Sequence, residues 1–458
     1  MIKKTNFYFI FFIFLLVTSC SFDKKTGIWD GVEKDNEKID EIRNERKRIL
    51  NTVSIFTSES FVSEEVPPEK NIILSKPKKN SSWQMTGFNL QNNVGHSYLS
   101  GFSNRFLKTK LGKNKFLRSE EMAPILVSDN YIYITNDSGT IYKVSFNGDL
   151  VWKKNIYKKL YKKLYKKLSF AIYKNNIFVS DNMGFIYSLD AITGEPIWIK
   201  NHGIPLKSHL KVFNDKIFVV NQDNRLLCLS VENGKKIWDI RSISSYIKSQ
   251  SLLSIAISKS GNLIFLNSSG DLNKVNTDNG NLIWSLNAKD LSFSHDTDFF
   301  ESSNIVIDEN NIIFSTPTSV YSYDIFSGYL NWSKKVNSKS DPIIDGNYVF
   351  LVTKDGFFLN LDKNTGKVIW STNILPSLDD GWKIPFEKEK SKTVVTGFIL
   401  GSDKLYITTF NGFLIICSAV TGKVESFKRV AYVNTYSPII SNDSLFLLTK
   451  TFRLFGFN

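Results

Sequence analysis

The chain has 458 residues, 42% of them apolar and 14% aromatic, enough to bury a large core and unlike a disordered polymer. Its formal charge of +14 arises from 58 Lys and Arg against 44 Asp and Glu, scattered along the chain rather than gathered into one basic arm. Three widely spaced cysteines supply neither a disulfide framework nor a zinc motif.

Residues 1–19 read as a leader. Lys3 and Lys4 precede a short apolar run, Phe7 to Val17, well under the ~20 residues of a spanning helix. The run ends in Leu16-Val17-Thr18-Ser19-Cys20, which resembles a bacterial lipobox. That resemblance implies cleavage before Cys20 and acylation of its thiol and new amino group. Several acyl chains make a durable anchor, because each buried CH₂ contributes about 0.8 kcal/mol. Ser21 in place of Asp implies the outer membrane. Residues 20–80 are expected to be a lipidated tether, with a charged helix over Asp30 to Leu50.

A regular beat then takes over. GDLVW, GEPIW, GKKIW, GNLIW, GYLNW and GKVIW each read Gly-x-x-x-Trp. They pair Gly148 with Trp152, Gly194 with Trp198, Gly234 with Trp238, Gly280 with Trp284, Gly328 with Trp332 and Gly366 with Trp370. A seventh unit starts at Gly422 and carries Ser426 where the others carry Trp. The spacing scatters around the ~40–50 residues of a four-stranded propeller blade. Within 341–374, turn pairs Asp345-Gly346 and Asp355-Gly356, then Asn364-Thr365-Gly366, separate four short apolar runs. Asp190, Asp324 and Asp362, four residues before their glycines, are placed to accept backbone N–H bonds in the turn. The tryptophan, at one place on the outermost strand, is expected to pack between adjacent blades.

Isolated blades would expose strand edges, so the units must close into a ring. The C-terminal stretch 437–458 supplies three strands and stops. Residues 81–90, SSWQMTGFNL, carry an apolar run with Trp83 and no blade of their own, and are expected to complete the last blade. The fold expected for 81–458 is all-β: an eight-bladed β-propeller of four-stranded antiparallel blades, closed by an N-terminal strand.

AITGEPIW, preceded by Met183-Gly184, and KNTGKVIW after Asp355-Gly356 resemble the PQQ-like β-propeller repeat. Together with the lipobox, tether, closing strand and eight blades, the chain resembles the BamB family of lipoproteins. The resemblance covers roughly 80–458. It implies a non-catalytic scaffold of the outer-membrane β-barrel assembly machinery, lipid-anchored and facing the periplasm. The implied partners are the barrel-forming subunit and, by β-augmentation, unfolded outer-membrane proteins; nucleic acid is not among them. The rival on the same fold is a PQQ-dependent dehydrogenase. Those enzymes resemble one another in an adjacent Cys-Cys pair and calcium-ligating acids, whereas Cys20, Cys228 and Cys417 stand far apart. Asp296-Thr297-Asp298 lacks the further ligands of a calcium loop. His96, His202, His209 and His295 have no metal spacing. No catalytic residue, metal or cofactor is therefore expected.

Three inter-blade connections stand out. Tyr157 to Leu168 reads YKKLYKKLYKKL, either an eight-residue expansion of a short loop or an amphipathic stretch against lipid. The stretch after Trp284 is acidic and aromatic, and the one after Trp370 carries Trp382 and Phe386 among charges. Exposed aromatics on loops of a rigid ring are candidate partner anchors. Cys228 and Cys417, inside apolar runs, are expected to be buried free thiols.

Overall fold

The computed structural model describes residues 62, 64–68, 72–116, 125–158, 161–242, 252–288, 300–338, 340–374, 394–431 and 436–458. The leader, Cys20, the Asp30 to Leu50 segment, Trp382 and Phe386 lie outside them.

The described strands form eight four-stranded antiparallel sheets. Seven are simple meanders, as alternating strands and two-residue turns dictate. Blade 1 runs Leu126–Ser128, Tyr131–Thr135, Thr140–Ser145, Leu150–Asn155. Blade 6 runs Ile343–Asp345, Tyr348–Val352, Phe357–Asp362, Val368–Asn373. In each blade the middle strands are buried, as in Tyr131–Thr135 and Thr140–Ser145. The outermost strand, such as Leu150–Asn155 or Pro196–Asn201, is exposed or half-buried along its length. The short inner strands of neighbouring blades touch and line the ring axis. Among the described residues no helix is long and apolar enough to cross a membrane.

Blade 8 closes the ring with strands from both ends of the chain. Ile439–Ser441, Ser444–Leu448 and Arg453–Phe457 come from the C-terminus, and Leu107–Lys110 adds outside Arg453–Phe457. Its register pairs Leu107 with Gly456 and Lys110 with Arg453. The closing strand is thus N-terminal, but it is not 81–90. That segment makes single bridges to inner strands instead, through Trp83 to Val127 and Met85 to Ala171. The reason is geometric: an alternating apolar run is needed equally by an outer strand and by a segment lying against the inner strands. One hydrophobic cluster runs from blade 7 across this seam to blade 2, with Leu107, Val127, Phe170 and Phe446 nearly inaccessible.

Antiparallel alternation gives the ring two unlike faces. Hairpins between the first and second and between the third and fourth strands form one, called here the turn face. Hairpins between second and third strands, with the inter-blade connections, form the other, the connection face.

Candidate functional site

Each repeat glycine sits where the next side chain cannot be larger. Gly194, Gly234, Gly280, Gly328, Gly366 and Gly422 all have positive φ. A Cβ on Gly194 would meet Trp152; on Gly234, Trp198; on Gly280, Trp238. The same holds for Gly328 with Trp284, Gly366 with Trp332 and Gly422 with Trp370. The tryptophan of one blade therefore lies on the glycine turn of the next. Four of the indoles also donate to a carbonyl there, Trp198 to Val231, Trp238 to Asp278, Trp284 to Ile325 and Trp332 to Lys363, at 2.8–3.3 Å. The turns are held by the acids anticipated for them: Asp190 Oδ1 accepts from the Ile192 and Thr193 amides and the Thr193 hydroxyl. Those bonds hold the Asp190 carboxyl below its ordinary range, as they do for Asp324.

A β-bulge aims each tryptophan. Register shifts fall at Lys143/Val144, Ser188/Leu189, Cys228/Leu229 and the matching places in blades 4 to 7. The extra residue on the outer strand, Val151, Ile197, Ile237 or Ile283, faces outward and is about half exposed. Sequence reasoning missed these bulges, because a Gly-x-x-x-Trp spacing does not show which residue is unpaired. Ser426 occupies the tryptophan place in blade 7, opposite Ile416. At the seam Gly148 faces Leu107 and Thr109 instead of an indole.

The axis is the second feature, and the sequence did not reveal it. Residues 75–97 circle the turn-face end of the axis and touch every blade. The Ser75 amide donates to Asp345 Oδ2 at 2.8 Å in blade 6, and Asn80 Nδ2 to the Ile440 carbonyl at 2.8 Å in blade 8. Trp83 and Val127 exchange backbone bonds in blade 1. Gln84, Leu90 and Gln91 carbonyls accept the inner-strand amides of Ile172, Ile257 and Ile307 in blades 2, 4 and 5. Ser97 N donates to the Leu400 carbonyl in blade 7. Inner strands leave one row of amides without a strand partner, and this segment satisfies part of that row.

Blade 3 fastens the segment with a side chain. Lys211 Nζ donates to the Thr86 carbonyl (2.8 Å), the Asn89 carbonyl (2.6 Å) and Asn92 Oδ1 (2.6 Å). Asn92 Nδ2 in turn donates to the Ile255 and Ile305 carbonyls at 3.0 and 2.8 Å. Lys211 is wholly buried, and desolvation pushes its pKa down to about 7. Three oxygens around one ammonium oppose that shift by matching its three donors. The one sequence signal was a lysine in LKVF, at the register place where blades 1, 5, 6 and 8 put Leu126, Val306, Ile343 and Ile439.

The third feature is a blade edge already occupied. Val66 and Ser371 exchange backbone hydrogen bonds at 3.0 and 2.9 Å on the outermost strand of blade 6. Glu65 Oε1 accepts from the Asn373 amide at 2.9 Å. Cys228 and Cys417 are buried free thiols, each pushed up to about 12 by burial.

The Tyr157 to Leu168 stretch is built into the connection face. Tyr157 is buried and its hydroxyl donates to Asp181 Oδ2 at 2.6 Å; burial raises the pKa of both groups. Lys166 is buried over the Tyr157 ring, 4.6 Å from its centroid, and its amide donates to the Asp137 carbonyl. Leu168 opens the inner strand of blade 2. Among the described residues between them only Tyr161–Lys163 is helical, a single 3₁₀ turn. First and last copies thus both carry buried side chains, and no continuous amphipathic helix forms over the described part.

Among the described residues no three His, Cys, Asp or Glu side chains group to hold a cation. This architecture defines the class: an eight-bladed β-propeller of PQQ-like repeats, joined by tryptophan on glycine, with its own N-terminal segment across one end of the axis. The sequence profile of the family described as outer membrane protein assembly factor BamB matches residues 137–372. The chain belongs to that family. An outer membrane protein assembly factor BamB from Moranella endobia is 19% identical over 333 residues, 60% of this chain and 80% of that one. The crystal structure of BamB from Moraxella catarrhalis superposes with a TM-score of 0.62 at 12% identity, covering 78% of this chain and 99% of that one. A europium-containing methanol dehydrogenase shares the fold at 12% identity and a TM-score of 0.61, covering 81% and 90%. A quinone cofactor of such an enzyme needs a flat slot and a cation beside it. Among the described residues no group of acids, histidines or cysteines stands to hold that cation, and the cavity of about 820 Å³ beside 75–97 at the turn-face end is lined by Lys78, Asn89, Gln91, His96 and Lys363 among others.

Proposed function

We propose that the protein is a non-catalytic scaffold of outer-membrane β-barrel protein assembly, anchored by lipid on Cys20 and facing the periplasm. The observation that carries this reading is the family match across the repeat blades. The surfaces such a ring offers a protein partner are its loops and its blade edges. The anchor, as the sequence implies it, keeps those surfaces near the membrane. The binding partner is the barrel-forming subunit of the assembly machinery, with Trp382 and Phe386 as candidate anchors on the longest connection. Unfolded outer-membrane proteins are a second class of partner. Their extended segments can add to the outermost strands as Val66 adds to Ser371.

The test is affinity isolation of the full-length protein from detergent-solubilised membranes of its own bacterium. Co-isolation of the barrel-forming subunit, weakened by Trp382→Ala with Phe386→Ala, is the expected result. Isolation free of that subunit, with alcohol-dependent reduction of an artificial acceptor after loading with PQQ and calcium, would put the protein among the dehydrogenases instead.

A further inference from the structure

The two faces of the ring treat their cations differently. On the turn face, lysines meet acids across blades: Lys174 with Asp215 at 2.6 Å, Lys216 with Asp278 at 2.7 Å, and Lys363 with Asp308 at 2.8 Å. Lys79 meets Asp443 there at 3.0 Å. On the connection face beside the seam, the pattern stops. A cleft of about 560 Å³ between the closing strand and blade 1 is lined by Lys110, Lys113, Lys115 and Lys153, with the Tyr142 ring and Ser138. Lys110 lies directly across the strand pair from exposed Arg453, a like-charge pairing that disfavours the sheet. The adjoining loop adds exposed Lys158, Lys162 and Lys163.

None of these cations has a carboxylate partner among the described residues. Two described acids in the neighbouring hairpins of this face, Asp137 and Asp181, are engaged below the surface. Asp137 accepts the Lys115 and Phe116 amides at 2.7 Å each, and Asp181 holds Tyr157. Glu120 and Glu121 follow in the same connection, outside the described residues. Among the lysines stand half-exposed Leu164 and the Phe116–Tyr165 edge contact. Cations interleaved with aromatic and aliphatic side chains suit the interfacial layer of a bilayer.

We infer that this face, from the closing strand across blade 1 to the Tyr157–Leu168 loop, docks on an anionic phospholipid surface through lipid phosphates. It orients the ring, with the turn face away from the bilayer. The inference deepens the scaffold reading and shares with it only the site of action at a membrane; the charge placement is independent of any protein partner. From Cys20, residues 20–61 precede the first described one, and an extended chain spans about 3.3 Å per residue. An anchored tether of that length permits either face to meet the membrane, so surface charge is what selects one.

The experiment is flotation of the full chain carrying Cys20→Ala, which removes acylation, on vesicles of phosphatidylcholine alone or mixed with phosphatidylglycerol. The leader with Lys3 and Lys4 is common to every variant, so the difference between charge-reversal sets reads the placement of charge on the ring. Expected is tighter binding to the anionic vesicles, screened by molar salt. Lys113→Glu with Lys115→Glu and Lys153→Glu should lower that binding roughly 100-fold. The turn-face set Lys235→Glu, Lys367→Glu and Lys423→Glu, with the same change in net charge, should lower it far less. Thermal melts confirm that each set folds. Equal losses from both sets, or no preference for anionic vesicles, would overturn the inference, and the latter leaves the face to an acidic protein. Failure of the scaffold reading shows separately, as loss of co-isolation.

Discussion

Lys211 shows what a single buried cation does for a ring of strands. The N-terminal segment beside it leaves three oxygens, of Thr86, Asn89 and Asn92, pointing at one place, and a lysine long enough to reach them satisfies all three. Lys211→Met keeps the volume and orphans those acceptors, so stability should fall by about 3 kcal/mol in urea unfolding. The pH dependence has a definite sign. The folded pKa is about 7, and the unfolded one about 10.4. From about pH 7 to about pH 10 the unfolded chain binds more protons, so stability rises with pH there, by up to ~1.4 kcal/mol per unit. Below about pH 7 the desolvation penalty is constant. His209 beside it is pushed to about 3 and stays neutral throughout, while Asp341 pulls the Lys211 pKa upward. Lys211→Met should lack the slope; a slope unchanged in that variant would assign it to another group.

At the scale of the element, the Tyr157–Leu168 connection is a loop in which repetition has become structure. A short loop expanded by duplication should tolerate loss of the added copies. Here Tyr157 fills the space beside Gly139, whose Cβ would collide with the ring, while Leu168 starts the next inner strand. One copy of YKKL cannot place its tyrosine and its leucine at both stations. Deleting eight residues should therefore lower the thermal midpoint by several degrees. Tyr157→Phe, which removes the hydroxyl bonded to Asp181 and leaves a buried carboxylate with its Met183 and Phe185 amides, should cost about 1–2 kcal/mol. A deletion variant as stable as the parent would return the stretch to the status of a passive insertion.

For the whole molecule, stability rests on joining the two chain ends. Seven blades are local meanders, but blade 8 needs Leu107–Lys110 to meet Arg453–Phe457 across the length of the domain. Leu107 is 2% exposed and lies against the Gly148 turn and Gly456, so Leu107→Asp places an uncompensated charge in the seam. A loss of about 3 kcal/mol or more is expected, read as a lower denaturation midpoint of the whole ring. Trp83→Ala, in the segment at the axis, should unfold that segment's hold on blade 1 while leaving the seam intact. Equal amide exchange at Arg453–Phe457 in Leu107→Asp and parent would show that the ring closes elsewhere.

The repeat was legible because each blade solves the same local problem. A positive-φ turn needs glycine, the residue four before it binds that turn's amides, and the outer strand returns one indole at a fixed distance. Those requirements act within a few residues, so they are written in the chain at every turn, and blade number, strand number and the antiparallel order followed from them. Which segment closes the ring, which lies across its axis, and which lysines meet acids were decided only in three dimensions. Residues 81–90 and 107–110 both offer a short alternating run, and nothing local distinguishes an edge to be completed from an axis to be lined. The choice depends on which distant strand presents unpaired amides, a property of the assembled ring rather than of any stretch of its sequence.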